Sequence, residues 1–461
     1  MILRGLRQTL ACLMIFFLLG TSFAATPTAP APAPTPTAPI KINADTLKTM
    51  LLEQNISLMI QLNKVYQAKE QIALHRAQLL PSINLGTMIS SGPSFALATV
   101  NMLLPFLLPS NWFDLKESQY LLNAQATSYY IAQLNTYSSA YAVYMTVVGD
   151  MDLRDVLYQQ YLNYKDIEDQ IQLAVDAGMM QPSDLLQAKA QTELAAIQVS
   201  QVEDLLQREK SSLREMLALP LTQDFVIEKN HLSSTTSETL PAQVLLDKAT
   251  AKAPELNQLA SMISAAKTAK WSKAFSFLSG SSLSSTRSNG ALSPISQIGT
   301  VNLGFGYFPS LKIADYNIDE LQLQKKQVTL DQAQVIESTL GSLVQASKQY
   351  DLAAQAEANL DLVYQGELEK FRAGMTDLLH VLSAGNNLTT ALTNKVKAQS
   401  DLDTLRVSLN RILLDDRFAQ IGACEIQRKS SGSIIGRLGR IFRSNKDQMT
   451  LDEACGPQTK N

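Results

Sequence analysis

Histidine and cysteine are scarce, at three each in 461 residues. So few ligands argue against a histidine-rich metal site. The chain contains no Cys-x-x-Cys, no His-Glu-x-x-His and no P-loop. Serine, histidine and aspartate can be combined on paper, but none stands in a nucleophile-elbow context. The expectation is therefore a protein that is not an enzyme, with no catalytic residues, no metal and no cofactor. Charge of one sign is lacking too: 39 Lys and Arg face 42 Asp and Glu, a net charge of -3. With no basic-aromatic patch either, nucleic acid is excluded as a partner. Long hydrophobic runs are absent except for Leu10 to Leu19 at the N-terminus. A mature chain that crosses a bilayer must then do so with strands.

What is present begins with that run. Arg4 and Arg7, the apolar stretch and the small-x-small triplet Ser22-Phe23-Ala24 have the layout of a cleaved secretory signal over residues 1–24. A lipoprotein signal on Cys12 is the rival reading, weakened by Thr9 where an aliphatic residue is wanted. Residues 25–41 are a proline-rich extended spacer, which places the first folded element after Ile42. Cleavage leaves Cys424 and Cys455, which in an exported chain either pair or remain free thiols.

Proline is missing between Pro109 and Pro182 and between Pro309 and Pro457. Because proline costs about 3 kcal/mol inside a helix, these gaps permit very long helices. Their Ala, Leu, Gln and Lys content fills them with helix formers. Leu402, Leu405, Leu409 and Ile412 form one narrow apolar stripe, as do Leu51, Leu58, Leu62 and Val65 in part, suiting helices packed side by side. Two patches have period two instead. Ile83, Leu85 and Ile89 alternate with polar residues, followed by a turn signal and a second apolar run to Leu108. Phe275 and Phe277, then Val301, Leu303, Phe305 and Tyr307, repeat the pattern around an Asn289-Gly290 turn. Two hairpins cannot close a barrel, so they are either soluble or pooled among several chains.

The chain also repeats itself. Ala177-Gly178-Met179 recurs as Ala373-Gly374-Met375, and Asn101 in VNMLL as Asn302 in VNLGF. The order helix, hairpin, long helix, glycine turn, helix occurs twice, over 42–225 and 226–417, ahead of a tail at 418–461. In that tail, SIIGRLGRIFRS from Ser433 reads as a flexible segment or a short amphipathic helix.

Leu79-Leu80-Pro81, AGMMQPSDLLQAKA from Ala177, Ala253-Pro254-Glu255-Leu256 and AGMTDLLHVLSA from Ala373 together resemble outer-membrane efflux proteins of the TolC type. The resemblance covers most of residues 42–414. It implies a mainly α fold with membrane β-barrel strands: a two-repeat, long-helix coiled-coil tunnel plus four strands per chain, contributing to a trimeric 12-stranded barrel in outer-membrane lipid. It further implies a homotrimeric passive exit duct that docks with a periplasmic adaptor and an inner-membrane pump or ABC exporter, for efflux or type I secretion. An exported structural coiled-coil protein without channel activity is the alternative.

The glycine turns, Gly178 with Met179 and Gly374 with Met375, are expected at the periplasmic helix tips, either docking the adaptor or only ending the helices. Relatives commonly carry aspartates six and nine residues after the second glycine, where they ring the aperture. Here those positions hold His380 and Ser383, while the first repeat has Asp184 and Gln187. Asp377 is a further candidate for the ring. Three His380 side chains around an axis repel once protonated, an expectation that keeps the ring neutral near pH 7. The other reading packs His380 against a neighbouring helix.

Overall fold

The computed structural model describes residues 39–79, 106, 108–275 and 307–422. The signal segment, most of the spacer, nearly all of both alternating segments, and Cys424 and Cys455 in the tail lie outside the described residues. Phe275 and Tyr307, expected in strands, are instead the last and first residues of helices, where the Tyr307 hydroxyl donates to the Ala274 carbonyl at 2.9 Å and ties the two helix ends together. The chain forms two compact units, a small one of residues up to Ile40 with Leu221–Phe225, and a large one holding everything else. Strand β1 covers Ile40–Ile42 and β2 Phe225–Ile227, so a strand lies ahead of the first element expected after Ile42. In the small unit Ile40 N–H donates to the Asp224 carbonyl at 3.0 Å. In the large unit Glu228 N–H donates to the Ile42 carbonyl at 3.0 Å.

The large unit is helical: α1 Ala44–Gln54, α2 Ile56–Leu79, α3 Pro109–Asp176, α4 Pro182–Met216, α5 Ala242–Lys252, α6 Pro254–Phe275, α7 Tyr307–Arg372 and α8 Leu378–Leu413. Lengths pair off: α3 and α7 have 68 and 66 residues, α4 and α8 have 35 and 36. At 1.5 Å per residue α3 is about 100 Å long. It starts at Pro109 itself, because proline fits the first helical position, where no N–H is needed. The expected stripe from Leu51 to Val65 is buried but broken in two. Asn55 ends α1 and starts α2: its Oδ1 accepts from Leu58 N–H at 3.1 Å and its Nδ2 donates to the Met216 carbonyl at 2.7 Å.

Two side-by-side orders arise along α3. Toward the strand-patterned segments, the packing order is α2, α3, α6, α7; toward the glycine turns it is α4, α3, α8, α7. Between them, α3 buries Tyr137, Tyr141 and Tyr144 on one face. Tyr137 OH donates to the Ala44 carbonyl at 3.3 Å, Tyr144 OH donates to the Glu228 carbonyl at 2.5 Å, and Arg417 Nη1 donates to Tyr141 OH at 3.3 Å. Phe418 meets Tyr137 edge-on at 5.0 Å. One tyrosine column thus fastens the start of α1, the connector after β2 and the chain beyond α8 to the longest helix.

Candidate functional site: the paired helix turns

Both long helices end in the same way. Gly178 has φ +72 and Gly374 φ +70, the left-handed region that glycine enters without side-chain strain. After α3, Gly178 N–H donates to the Val175 carbonyl at 2.9 Å and Met179 N–H to the Ala174 carbonyl at 2.8 Å. After α7, Gly374 N–H donates to Phe371 at 2.9 Å and Met375 N–H to Lys370 at 2.8 Å. These are two copies of a Schellman motif, which satisfies the last helical carbonyls. Each displays its methionine: Met179 is 76% exposed and Met375 73%.

The restarts differ. Before α4, Gln181 N–H donates to the Asp184 carboxylate at 3.3 Å, so the acid sits inside the first turn. Before α8, Asp377 is itself the cap: its Oδ1 accepts from His380 N–H at 3.1 Å and lies 2.5 Å from His380 Nδ1. Hydrogen bonding to Asp377, then its charge, raises the proton affinity of His380, and the same bond lowers that of Asp377. His380 is exposed within the chain. The neutral-ring expectation counted repulsion between copies and overlooked this carboxylate, which pulls the other way. Gln187 and Ser383 are exposed, and Asp184 is half-buried.

Behind the turns, α3, α4, α7 and α8 share a core of Tyr164, Ile167, Ile171, Ala188, Ala195, Tyr364, Leu378 and Val381. Tyr164 OH donates to Asn386 Oδ1 at 2.9 Å and accepts from Gln160 Nε2 at 2.9 Å. Gly385 makes room for that phenol: a Cβ there would lie 3.2 Å from the hydroxyl.

A second polar cluster escaped sequence reading. His231, on the connector, sits between two helices, with Nδ1 2.7 Å from Asp403 Oδ2 on α8 and Nε2 3.0 Å from Asp152 Oδ2 on α3. Asp403 is 1% exposed and also accepts from Leu232 N–H at 3.0 Å and Gln399 Nε2 at 3.2 Å. Lys229 reaches Asp152 at 2.9 Å and Asp155 at 2.5 Å. The available signal was Asp403 standing next to Leu402 in an otherwise apolar stripe, because a buried carboxylate must be partnered. Nearby, α3 and α8 come close together at Gly149, where an added Cβ would fall 2.6 Å from Ser400 Oγ.

Among the described residues there is no group of three His, Cys, Asp or Glu side chains placed to hold a metal ion. No described helix is long and apolar enough to cross a membrane. No family model and no curated protein sequence matches the chain. Solved structures do match. The Campylobacter jejuni CmeC outer membrane channel aligns with TM-score 0.63 at 15% identity, over 80% of this chain and 85% of that one. The outer-membrane channel OprN gives 0.63 at 14%, over 80% and 89%. The outer membrane protein VceC of Vibrio cholerae gives 0.61 at 13%, over 80% and 95%. At such identities the likeness speaks for architecture, and the chain has the fold of outer-membrane channels.

Proposed function

We propose that this protein is the outer-membrane exit duct of a tripartite efflux or type I secretion system. One observation carries the reading: the edge helices present uncovered apolar stripes. On α4 these are Leu186, Leu194, Ile197 and Leu205; on α7 they are Leu323, Leu330, Val344, Leu352 and Leu362. Their spacings put each set on one helical face. Such faces need a partner, and two different edges on one chain suit head-to-tail association that closes into a ring. Three copies would complete a helical tunnel in the periplasm, with the segments 80–108 and 276–306 pooled as a twelve-stranded barrel in outer-membrane lipid. Residues 1–24 direct export, 25–41 form the spacer, 42–225 and 226–417 are the two repeats, and 418–461 is a periplasmic tail in which Cys424 and Cys455 form a bridge.

In this reading Gly178, Met179, Gly374 and Met375 face a periplasmic adaptor, which links the duct to an inner-membrane pump or ABC exporter. Asp184, Gln187, Asp377, His380 and Ser383 line the aperture. Pairing with Asp377 lets each His380 gain its proton at higher pH than repulsion alone allows, adding positive charge where an acidic ring would attract cations. The test is purification from outer membranes followed by planar-bilayer conductance. A detergent-resistant trimer that conducts, loses cation selectivity between pH 7 and pH 5 and regains it in His380→Asp is expected. A soluble periplasmic monomer would overturn the duct and favour the structural rod. Selectivity that ignores both pH and the substitution would remove His380 from the aperture while leaving the duct standing.

A further inference from the structure

Helices α3 and α4 meet along a seam whose inward positions step alternately by three and four residues, the spacing of helices coiled side by side. On α4 the buried positions run Val199, Val202 and Leu206, skip one step and resume at Leu213; the skipped position is Glu209. On α3 they run Tyr164, Gln160 and Leu157, and the same steps continue through half-buried Leu153 to Asp150. The two acids stand opposite each other, with their carboxyl groups in hydrogen-bonding reach. Glu209 Oε2 is buried and meets no donor among the described residues.

The second repeat fills the same place without charge. The interval from Gly178 to Gly374 carries Asp150 to Ala346 on α7 and Glu209 to Leu405 on α8, and both pack in an apolar cluster with Leu343, Leu402 and Leu409. Packing at this level therefore needs no carboxyl groups. In the first repeat they take the place of apolar contact, and no cation offsets their desolvation. The charged groups nearby are committed elsewhere: Lys229 of the connector to Asp152 and Asp155, His231 to Asp152 and Asp403, Arg154 to Asp155, and Arg208 of α4 to Asp204. Lys397 of α8 is exposed, and half-buried Lys210 beside Glu209 enters no ion pair among the described residues.

What can hold two such groups together is a proton. A carboxylate only accepts, so two ionised groups in contact repel, whereas one protonated group donates to the other. Burial, with the charge of Asp150 added to it, pushes the Glu209 carboxyl up to about 8, and burial raises Asp150 as well. We infer that Asp150 and Glu209 form a proton-held lock in the α3–α4 seam, closed while they share a proton and released when both ionise. The folded seam binds that proton more tightly than the unfolded chain. Its contribution is therefore complete below the ordinary carboxylate range and is lost as pH rises through the raised folded value. Helix α4 is the outer one in the order α4, α3, α8, α7 and carries the uncovered stripe of Leu186, Leu194, Ile197 and Leu205, so the lock sets how firmly that edge is held. Lying within one chain, it stands without the duct reading.

Hydrogen exchange of the full-length protein in detergent, read by mass spectrometry, compares the chain around Glu209 with that around Leu405 in the same sample. From about pH 6 to about pH 9, protection around Glu209 should fall at least about tenfold relative to protection around Leu405. Asp150→Asn with Glu209→Gln keeps a hydrogen bond but has nothing to ionise, and should hold the ratio level. Asp150→Ala with Glu209→Leu copies the second repeat and should do the same; if that pair fails to fold, the amide pair still decides. The infrared band of protonated carboxyl groups at neutral pH should weaken in the amide pair. A ratio that stays flat in the unaltered chain, a fall as large in the amide pair, or infrared spectra that coincide would each overturn the lock.

Discussion

The two glycine turns are alike on the side where a long helix ends and unlike on the side where the next begins. Ending a helix is a backbone problem, and Gly178 and Gly374 solve it with the same pair of hydrogen bonds. Restarting one is a side-chain problem. The first turn keeps its carboxylate inside the helix at Asp184, whereas the second moves it to the cap at Asp377 and gives it His380. Repetition has preserved the geometry while the electrostatics diverged. The helix bodies show the same contrast: Asp403 of α8 is buried and triply bonded, while Gln207, its counterpart in register on α4, is exposed.

The sharpest way to break that contrast is Asp403→Ala. It removes the buried acceptor of the Leu232 N–H and leaves the exposed His231 with Asp152 alone, and should cost about 1 to 3 kcal/mol, against less than about 0.5 kcal/mol for Gln207→Ala. Denaturant midpoints followed by circular dichroism decide it, and equal effects would mean that the clasp contributes nothing. Next comes the close approach of α3 to α8. Gly149→Ala drives a methyl into Ser400 and should destabilise by about 1 to 3 kcal/mol, whereas Gly341→Ala in α7, with open space around it, should stabilise by about 1 kcal/mol through helix propensity. Opposite signs in the same thermal assay are the expected result.

Smaller effects belong to the turns themselves. Nothing surrounds Gly178 or Gly374, so Val at either site meets only backbone strain and should cost about 1 to 2 kcal/mol, equally in both repeats. Export assayed alongside should fall further for one turn than the other if only one docks the adaptor. The smallest change is Asp377→Asn, read by NMR titration of the His380 ring. The folded chain holds that proton more tightly than an unfolded one. The pair therefore favours the folded turn at pH below the ordinary histidine range, and its contribution fades as pH rises through the raised folded value. Asparagine should bring the His380 titration down, while Asp184→Asn should leave it unmoved.

Sequence reading was strongest where one physical rule dominates. Proline spacing marked both long helices, and glycine after a helical stripe marked both turns, because each acts locally and needs no partner. It failed where a residue's meaning depends on distant chain. Asn55 looked like part of a continuous helix until its amide was seen to bond Met216, 161 positions away. Tyr137, Tyr141 and Tyr144 carry no local signal of their role, since their hydroxyls bond three separate pieces of backbone and side chain far away in sequence. His231 had no local signal, since its two carboxylates come from different repeats. For His380 the neighbour that matters, Asp377, had been counted only as another candidate for the ring, and its bond to the imidazole was not foreseen.

The position of α7 has a genetic consequence. It lies at an edge in both packing orders, so in a head-to-tail ring a copy spoiled along α7 still offers a sound opposite edge and is still recruited. Charged substitutions at Leu330 and Leu352 should then act dominantly. Co-expressed in equal amount with the unaltered chain, such a copy would leave only about one ring of three in eight free of it. Export should drop well below half instead of merely halving, and a strictly recessive phenotype would argue against the ring.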